Sequence, residues 1–190
     1  MSRATTALIT GERVRLVPGD ESMAEQFQSW LGDTDTRHLI GGAAYPISME
    51  AEREFLRGRQ QVGWDSGFFM AIEAIDGPEP VLIGSVELRH VHPEARWCDV
   101  GILIGAPAYR GGGYGTEAMR LACRFAFEEM GLERVELETF EFNTRAVRSY
   151  EKVGFVVEGT KRRGAYLGGR FYDVIVMGLL REELRDPEQP

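Results

Sequence analysis

The chain lacks any apolar run near the ~18 residues that a membrane-spanning helix needs, so no membrane is expected as a partner. It has only two cysteines in 190 residues, Cys98 and Cys123, too few for a disulfide framework or a cysteine-built metal site. Both stand in apolar patterns and read as buried, inert thiols, in keeping with a reducing cytoplasm. No Pro/Gly/Ser linker, internal repeat or low-complexity tract divides the chain. The opening "MSRATTALITG" has one arginine and no apolar centre, so it does not read as a signal peptide. Basic excess is missing too. With 22 Lys and Arg against 30 Asp and Glu, the net charge is −8, which argues against a nucleic-acid face. An acidic surface can favour cationic substrates such as amines, although many acidic proteins are merely soluble.

What is present is an ordinary globular composition, 43% hydrophobic and 27% charged, in a length that suits one domain. At this size folding buries roughly 70% of the unfolded surface, so no covalent staple is required. "GERVRLVPGD" alternates as a short strand ended by a turn. "DESMAEQFQSWLGD" reads as a helix capped by Asp20 and stopped at Gly32, and "DTDTRHLIGGAAYP" as a loop. "SMEAEREFLRGR" is a second helix with Ser48 as its cap. "GFFMAIEAI", "VLIGSVELRHV" and "WCDVGILIG" look like an antiparallel meander. From Thr116 the apolar period becomes helical, through Ala118, Leu121, Ala122 and Phe125, with Gly131 as the stop. "RVELETF" is a strand, "TRAVRSYEKVG" a helix, and "FVVEG" and "RFYDVIVMGLL" are strands. The order β-α-α-β-β-β-α-β-α-β-β predicts an α/β fold, a mixed and largely antiparallel sheet flanked by helices.

"YRGGGYGTEA" places Gly111, Gly112, Gly113 and Gly115 between a strand and a helix start. Without Cβ atoms such a loop can turn its N–H groups toward one point, and the helix N-terminus adds about half a positive charge. The expected ligand is a phosphate. The lysine of a Walker A loop is missing, because Thr116 and Glu117 follow Gly115. The G-x-G-x-x-G fingerprint fails as well, because Thr116 stands where its last glycine would be. What fits is Arg-x-x-Gly-x-Gly, at Arg110, Gly113 and Gly115. About 30 residues on, "FNTRAVRSYEKVGF" carries Asn143, Ala146, Tyr150, Gly154 and Phe155 at the spacing Asn-x-x-Ala-x-x-x-Tyr-x-x-x-Gly-Phe. Asn143 caps the helix, and Asn143, Ala146 and Tyr150 share one of its faces.

These two motifs, in this order, resemble the GNAT superfamily of N-acetyltransferases over about residues 11–182, a single domain with 1–10 and 183–190 as flexible termini. "ITGERVRLVP" and "GGRFYDVIVMGLLREE" resemble the branch that acetylates ribosomal-protein N-termini, spermidine and some antibiotics. The resemblance implies acetyl-CoA as cosubstrate and no metal. Its pyrophosphate would meet the loop from Arg110 through Gly111, Gly112, Gly113, Tyr114 and Gly115 to Thr116. The pantetheine arm would pass Asn143 and the small Ala146. Backbone N–H groups from Val100 through Gly101 and Ile102 to Leu103 would face the thioester oxygen, with Gly101 easing close approach. Tyr150 would protonate the departing sulfur; the competing reading is a phenol that merely anchors a packed ring. No cysteine stands in either motif, which favours direct transfer in a ternary complex.

The resemblance implies a primary amine as acceptor, and the chemistry of that amine decides whether a base is needed. Deprotonating a lysine-like amine at pH 7 costs about 4.6 kcal/mol, and an α-amine near pKa 8 only about 1.4. Asp99 and Glu87 are the candidate bases, directly or through water, although either could equally be a solvated strand residue or an ammonium anchor. The resemblance implies that the region around Tyr45 forms part of the acceptor wall, so Tyr45 and the acidic helix after it are candidates for acceptor specificity. His90 and His92 have no third ligand spaced to join them, so no metal is expected. "KRRGAYLGGR" reads as a basic hairpin, either a solvated turn or a contact for a 3′-phosphate. A catalytically silent acyl-CoA-binding module and a homodimer both remain open.

Overall fold

The computed structural model describes residues 7–41, 47–59 and 67–186. Its strands are β1 Ile9–Thr10, β2 Val14–Pro18, β3 Phe68–Ala74, β4 Val81–His92, β5 Trp97–Ile104, β6 Arg134–Phe140, β7 Val156–Leu167 and β8 Arg170–Leu180. Its helices are α1 Ala24–Gly32, α2 Thr34–Leu39, α3 Met49–Gly58, α4 Tyr114–Glu128 and α5 Thr144–Val153. The strands form one sheet in the order β1-β2-β3-β4-β5-β6-β8-β7. Neighbours are antiparallel except β5 and β6, which α4 connects as a parallel pair. The mixed, largely antiparallel sheet and its flanking helices are therefore as expected, and β3, β4 and β5 form the meander.

Period-2 alternation assigns each strand two destinations. Val14, Leu16, Met70, Ile72, Val86, Leu88, Cys98 and Val100 point to one face and pack under Ala118, Leu121, Ala122 and Ala126 of α4. The other face offers Phe69, Leu82 and Leu103 to Phe27 and Trp30 of α1 and Leu56 of α3. Fully burying a side chain such as Leu56 contributes about 1.5–3 kcal/mol, so this second, smaller cluster suffices to seat α1 and α3. Among the described residues no helix is long and apolar enough to cross a membrane.

Three local features differ from the expected string. Residues 34–39, read as loop, form α2: Asp33 caps it by accepting from the Thr36 N–H, Asp35 lies in its first turn, and Arg37 and His38 in its last. The cap and charge signals were present, but six residues give too little apolar periodicity to reveal a helix. A two-residue strand, β1, precedes the first expected one. β7 does not stop after "FVVEG" but continues to Leu167, taking the basic stretch into the ladder across two register shifts. The hairpin closes at Gly168 and Gly169, whose φ of +55° and +84° suit a two-residue turn with left-handed residues.

Candidate active site

β5 and β6 pair for only three residues, Trp97 to Asp99 against Arg134 to Glu136. Past that point β5 bonds β4 alone and β6 bonds β8 alone, so the strands part and a gap opens at Val100. Along its free edge alternate N–H groups of β5 have no strand partner. The gap leads into a cleft of about 340 Å³ whose walls come from β5, the glycine loop, α2 and α5. Ile102 and Leu103 line it directly. Val100 and Gly101 do not; the Val100 side chain lies in the core, and Gly101 lies beside the Arg89 guanidinium, 3.2 Å from where a Cβ would stand.

Gly111, Gly113, Gly115 and Thr116 face the cleft. Gly111 and Gly113 have φ of +80° and +90°, which lets the chain turn its amides outward just before α4 begins. None of the N–H groups of residues 111–116 meets an acceptor among the described residues. Such a row of unpaired donors at the start of a 15-residue helix suits an anion. Gly112 and Tyr114 contribute differently. Arg13 donates to the Gly112 carbonyl (2.7 Å) and stacks over the Tyr114 ring at 3.9 Å, while the Tyr114 hydroxyl donates to Asp76 (2.8 Å). They brace the loop from behind. Arg110 also borders the cleft, and its guanidinium bonds to the carbonyls of Ile104 (2.8 Å) and Gly105 (2.9 Å).

The opposite wall is α5. Asn143 caps it, its side-chain oxygen accepting from the Ala146 N–H, and both residues line the cleft with Tyr150. The Tyr150 hydroxyl has no hydrogen-bond partner among the described residues, and burial pushes the phenol up to about 12. It is therefore protonated at neutral pH and able to donate. Sequence reasoning passed over the charges beside it. Arg145, Arg148 and Lys152 also line the cleft, at helical spacing, and none has a carboxylate partner among the described residues. A Ser149 to Thr116 hydroxyl contact of 2.7 Å ties α5 to α4. Unpaired amides on one side and cations on the other fit a polyphosphate with an extended arm along β5.

Asp99 and Glu87 lie on the other face of the sheet. Asp99 is the last β5 residue paired with β6, so it stands where the strands part, and its carboxylate meets His90 Nδ1 at 2.5 Å. Glu87 pairs with Arg59 at 2.5 Å, and burial raises its pKa while Arg59 opposes that shift. His92 stacks on Trp97 at 4.2 Å, and no group of three metal-ligating side chains occurs among the described residues. Both thiols are buried, and Cys98 is pushed up to about 12 by that burial. Tyr45 lies outside the described residues.

Comparison with known proteins bears on the family and the fold. Residues 13–156 match the acetyltransferase (GNAT) domain family. The chain is similar to a prophage-derived uncharacterized N-acetyltransferase of Bacillus subtilis, 29% identical over 139 residues covering 73% of this chain and 75% of that protein. It is also similar to the spermidine N(1)-acetyltransferase of Escherichia coli, 31% identical over 108 residues covering 57% of this chain and 56% of that enzyme. A solved spermidine N-acetyltransferase of Vibrio cholerae, in complex with CoA and spermine, superposes with a TM-score of 0.81 at 22% identity over 91% of this chain and 98% of that one.

Proposed function

Because the chain belongs to the GNAT acetyltransferase family and is thereby an N-acetyltransferase, we propose that it moves an acetyl group from acetyl-CoA to a primary amine by direct attack in a ternary complex. The acceptor would be a protein N-terminus, a polyamine or another small amine. The observation that carries this reading is the row of unpaired N–H groups at 111–116, placed at the mouth of the gap between β5 and β6.

Acetyl-CoA, when bound, supplies an activated acetyl thioester. The loop amides and the cations of α5 hold its phosphates, and Asn143 and Ala146 border its arm. Free-edge N–H groups of β5 between Val100 and Leu103 donate to the thioester oxygen as negative charge grows there. Tyr150 gives its proton to the leaving sulfur. Asp99, at the point where the strands part, receives the amine proton, directly or through water. Glu87, held by Arg59, is better suited to attract the substrate ammonium. Neither buried cysteine can reach the cleft as a nucleophile, in accord with direct attack.

The test has two stages. Acetyl-CoA is expected to raise the melting temperature where ATP and NAD do not. Release of free CoA is then followed with N-terminal peptides, polyamines and aminoglycosides. Stabilisation by ATP but not acetyl-CoA would sink the reading. Acetyl-CoA binding without turnover on any amine would leave the silent-module alternative.

A further inference from the structure

Arg110 is the one charged side chain of the glycine-loop motif, yet its hydrogen bonds lead away from the loop amides. Nε donates to the Ile104 carbonyl (2.8 Å), and Nη2 divides its two N–H groups between the Gly105 carbonyl (2.9 Å) and the Thr36 hydroxyl (2.9 Å). Three of the five guanidinium donors are thus committed within the protein. Gly105 is itself fixed, because a Cβ there would lie 2.0 Å from the Trp30 ring.

The far end of this arrangement is α2. A six-residue helix is not stable by itself in water, so its position depends on what it is tied to. Thr36 is its one buried residue, 2% exposed. The Thr36 hydroxyl donates to Asp33 Oδ2 (2.5 Å) while accepting from Arg110, so arginine, threonine and capping carboxylate form one chain of bonds. α2 also separates two spaces. Leu39 lines the donor cleft and also a second cavity of about 490 Å³, which has Asp35, His38, Phe142 and Tyr172 among its walls and lies between α2 and the β7–β8 hairpin.

We propose that Arg110 is a positioning residue that locks α2 to the end of β5, and that its loss is felt on the acceptor side more than at the phosphates. The proposal rests on the acetyl-transfer reading for its kinetic arm alone. Lysine cannot replace the planar fork, since it offers one nitrogen where three acceptors lie in different directions. Thr36→Val removes the far partner and cannot touch a phosphate.

Arg110→Lys and Thr36→Val are compared with the unmodified chain in three measurements. Hydrogen exchange across residues 34–39 is expected to quicken about tenfold in both variants, as loss of a buried hydrogen bond requires. The dissociation constant of CoA, by calorimetry, should change less than about twofold in both. With an amine that is turned over, its KM should rise about three- to tenfold in both while kcat at saturation stays within about twofold. A tenfold loss of CoA affinity in Arg110→Lys alone would identify a phosphate ligand and overturn the proposal. Unchanged exchange at 34–39 in Thr36→Val would overturn it equally. If no amine is turned over, the transfer reading fails, and exchange and CoA affinity still decide the role of Arg110.

Discussion

On the face of the sheet that carries α4 and α5, the site is built mainly from backbone: unpaired amides at 111–116, a free strand edge after Asp99, and a helix held by its Asn143 cap. On the face that carries α1 and α3, the candidate acidic groups are held by side chains, Glu87 by Arg59 and Asp99 by His90. Backbone groups are the same in every protein, so a backbone-built cradle needs only glycines and a cap, and it serves one ligand class. Side-chain walls change with each substitution, so they can suit different acceptors on an unchanged donor platform. The two faces meet at Tyr150 and Asp99, on either side of the gap.

Tyr150→Phe should show the largest effect, because it removes the proposed proton donor and leaves the cradle intact. kcat is expected to fall about 10²-fold or more, with CoA affinity unchanged. Stability should hardly move, since the hydroxyl has no partner among the described residues to lose. A kcat within threefold of the parent would assign the phenol to packing alone. The raised pKa also sets a pH limit. The unfolded phenol titrates near 10 and the folded one at about 12, so its contribution to stability is full below about pH 10 and is lost as pH rises toward 12. Steady-state rates should accordingly show no alkaline loss from Tyr150 below about pH 11.

Gly113→Val comes next and acts on the donor side alone. A Cβ at Gly113 has room, its nearest neighbour being Arg13 Nη1 at 3.6 Å, but φ of +90° does not suit an L side chain. The strain, about 1–3 kcal/mol, is relieved only by rotating the amides that face the cleft. Acetyl-CoA affinity should weaken roughly 10- to 100-fold by calorimetry, while the amine KM at saturating acetyl-CoA stays close to the parent. Equal damage to both constants would erase the distinction between the faces.

This division explains what could be read before the structure. The glycine loop and the Asn143–Tyr150 face are short-range patterns with fixed spacing, so it was legible that these two segments would border a common cleft, which the structure shows them lining. The directions of Arg110 and Tyr114 were not, because side-chain direction depends on partners 74 and 38 residues away, Thr36 and Asp76. α2 escaped notice because a six-residue helix held by one threonine has no apolar stripe. The cations of α5 were visible as letters, but only the placement of the helix shows that Arg145, Arg148 and Lys152 share the cleft wall with Tyr150.

Asp99→Asn and Glu87→Gln separate two acidic groups on the proposed acceptor side. Asparagine at 99 keeps the shape but cannot take the amine proton, so kcat/KM for a polyamine at pH 7 should fall about tenfold or more. The defect should shrink as pH rises, because the free amine becomes up to tenfold more abundant per unit, and it should be smaller for an α-amine near pKa 8. Glu87→Gln instead removes the negative charge proposed to attract the substrate ammonium, so a rise in amine KM with an unshifted pH profile is expected. A pH-dependent defect in Glu87→Gln and none in Asp99→Asn would exchange their roles.

Arg148→Gln gives the smallest effect and tests whether charge adds to the backbone cradle. Arg148 is exposed, borders the cleft and has no carboxylate partner among the described residues, so its removal breaks no internal contact. Exposed charges act through water and salt, and the screening length is already about 10 Å at 0.1 M. CoA affinity should therefore drop about threefold at low ionic strength and become indistinguishable from the parent near 0.5 M salt. The loss caused by Gly113→Val should persist across the same range, because it comes from misplaced amides in direct contact with the phosphates. A salt-independent loss in Arg148→Gln would mean that this side chain makes a direct, geometrically fixed contact, and the donor site would then depend on side chains as much as the acceptor side does.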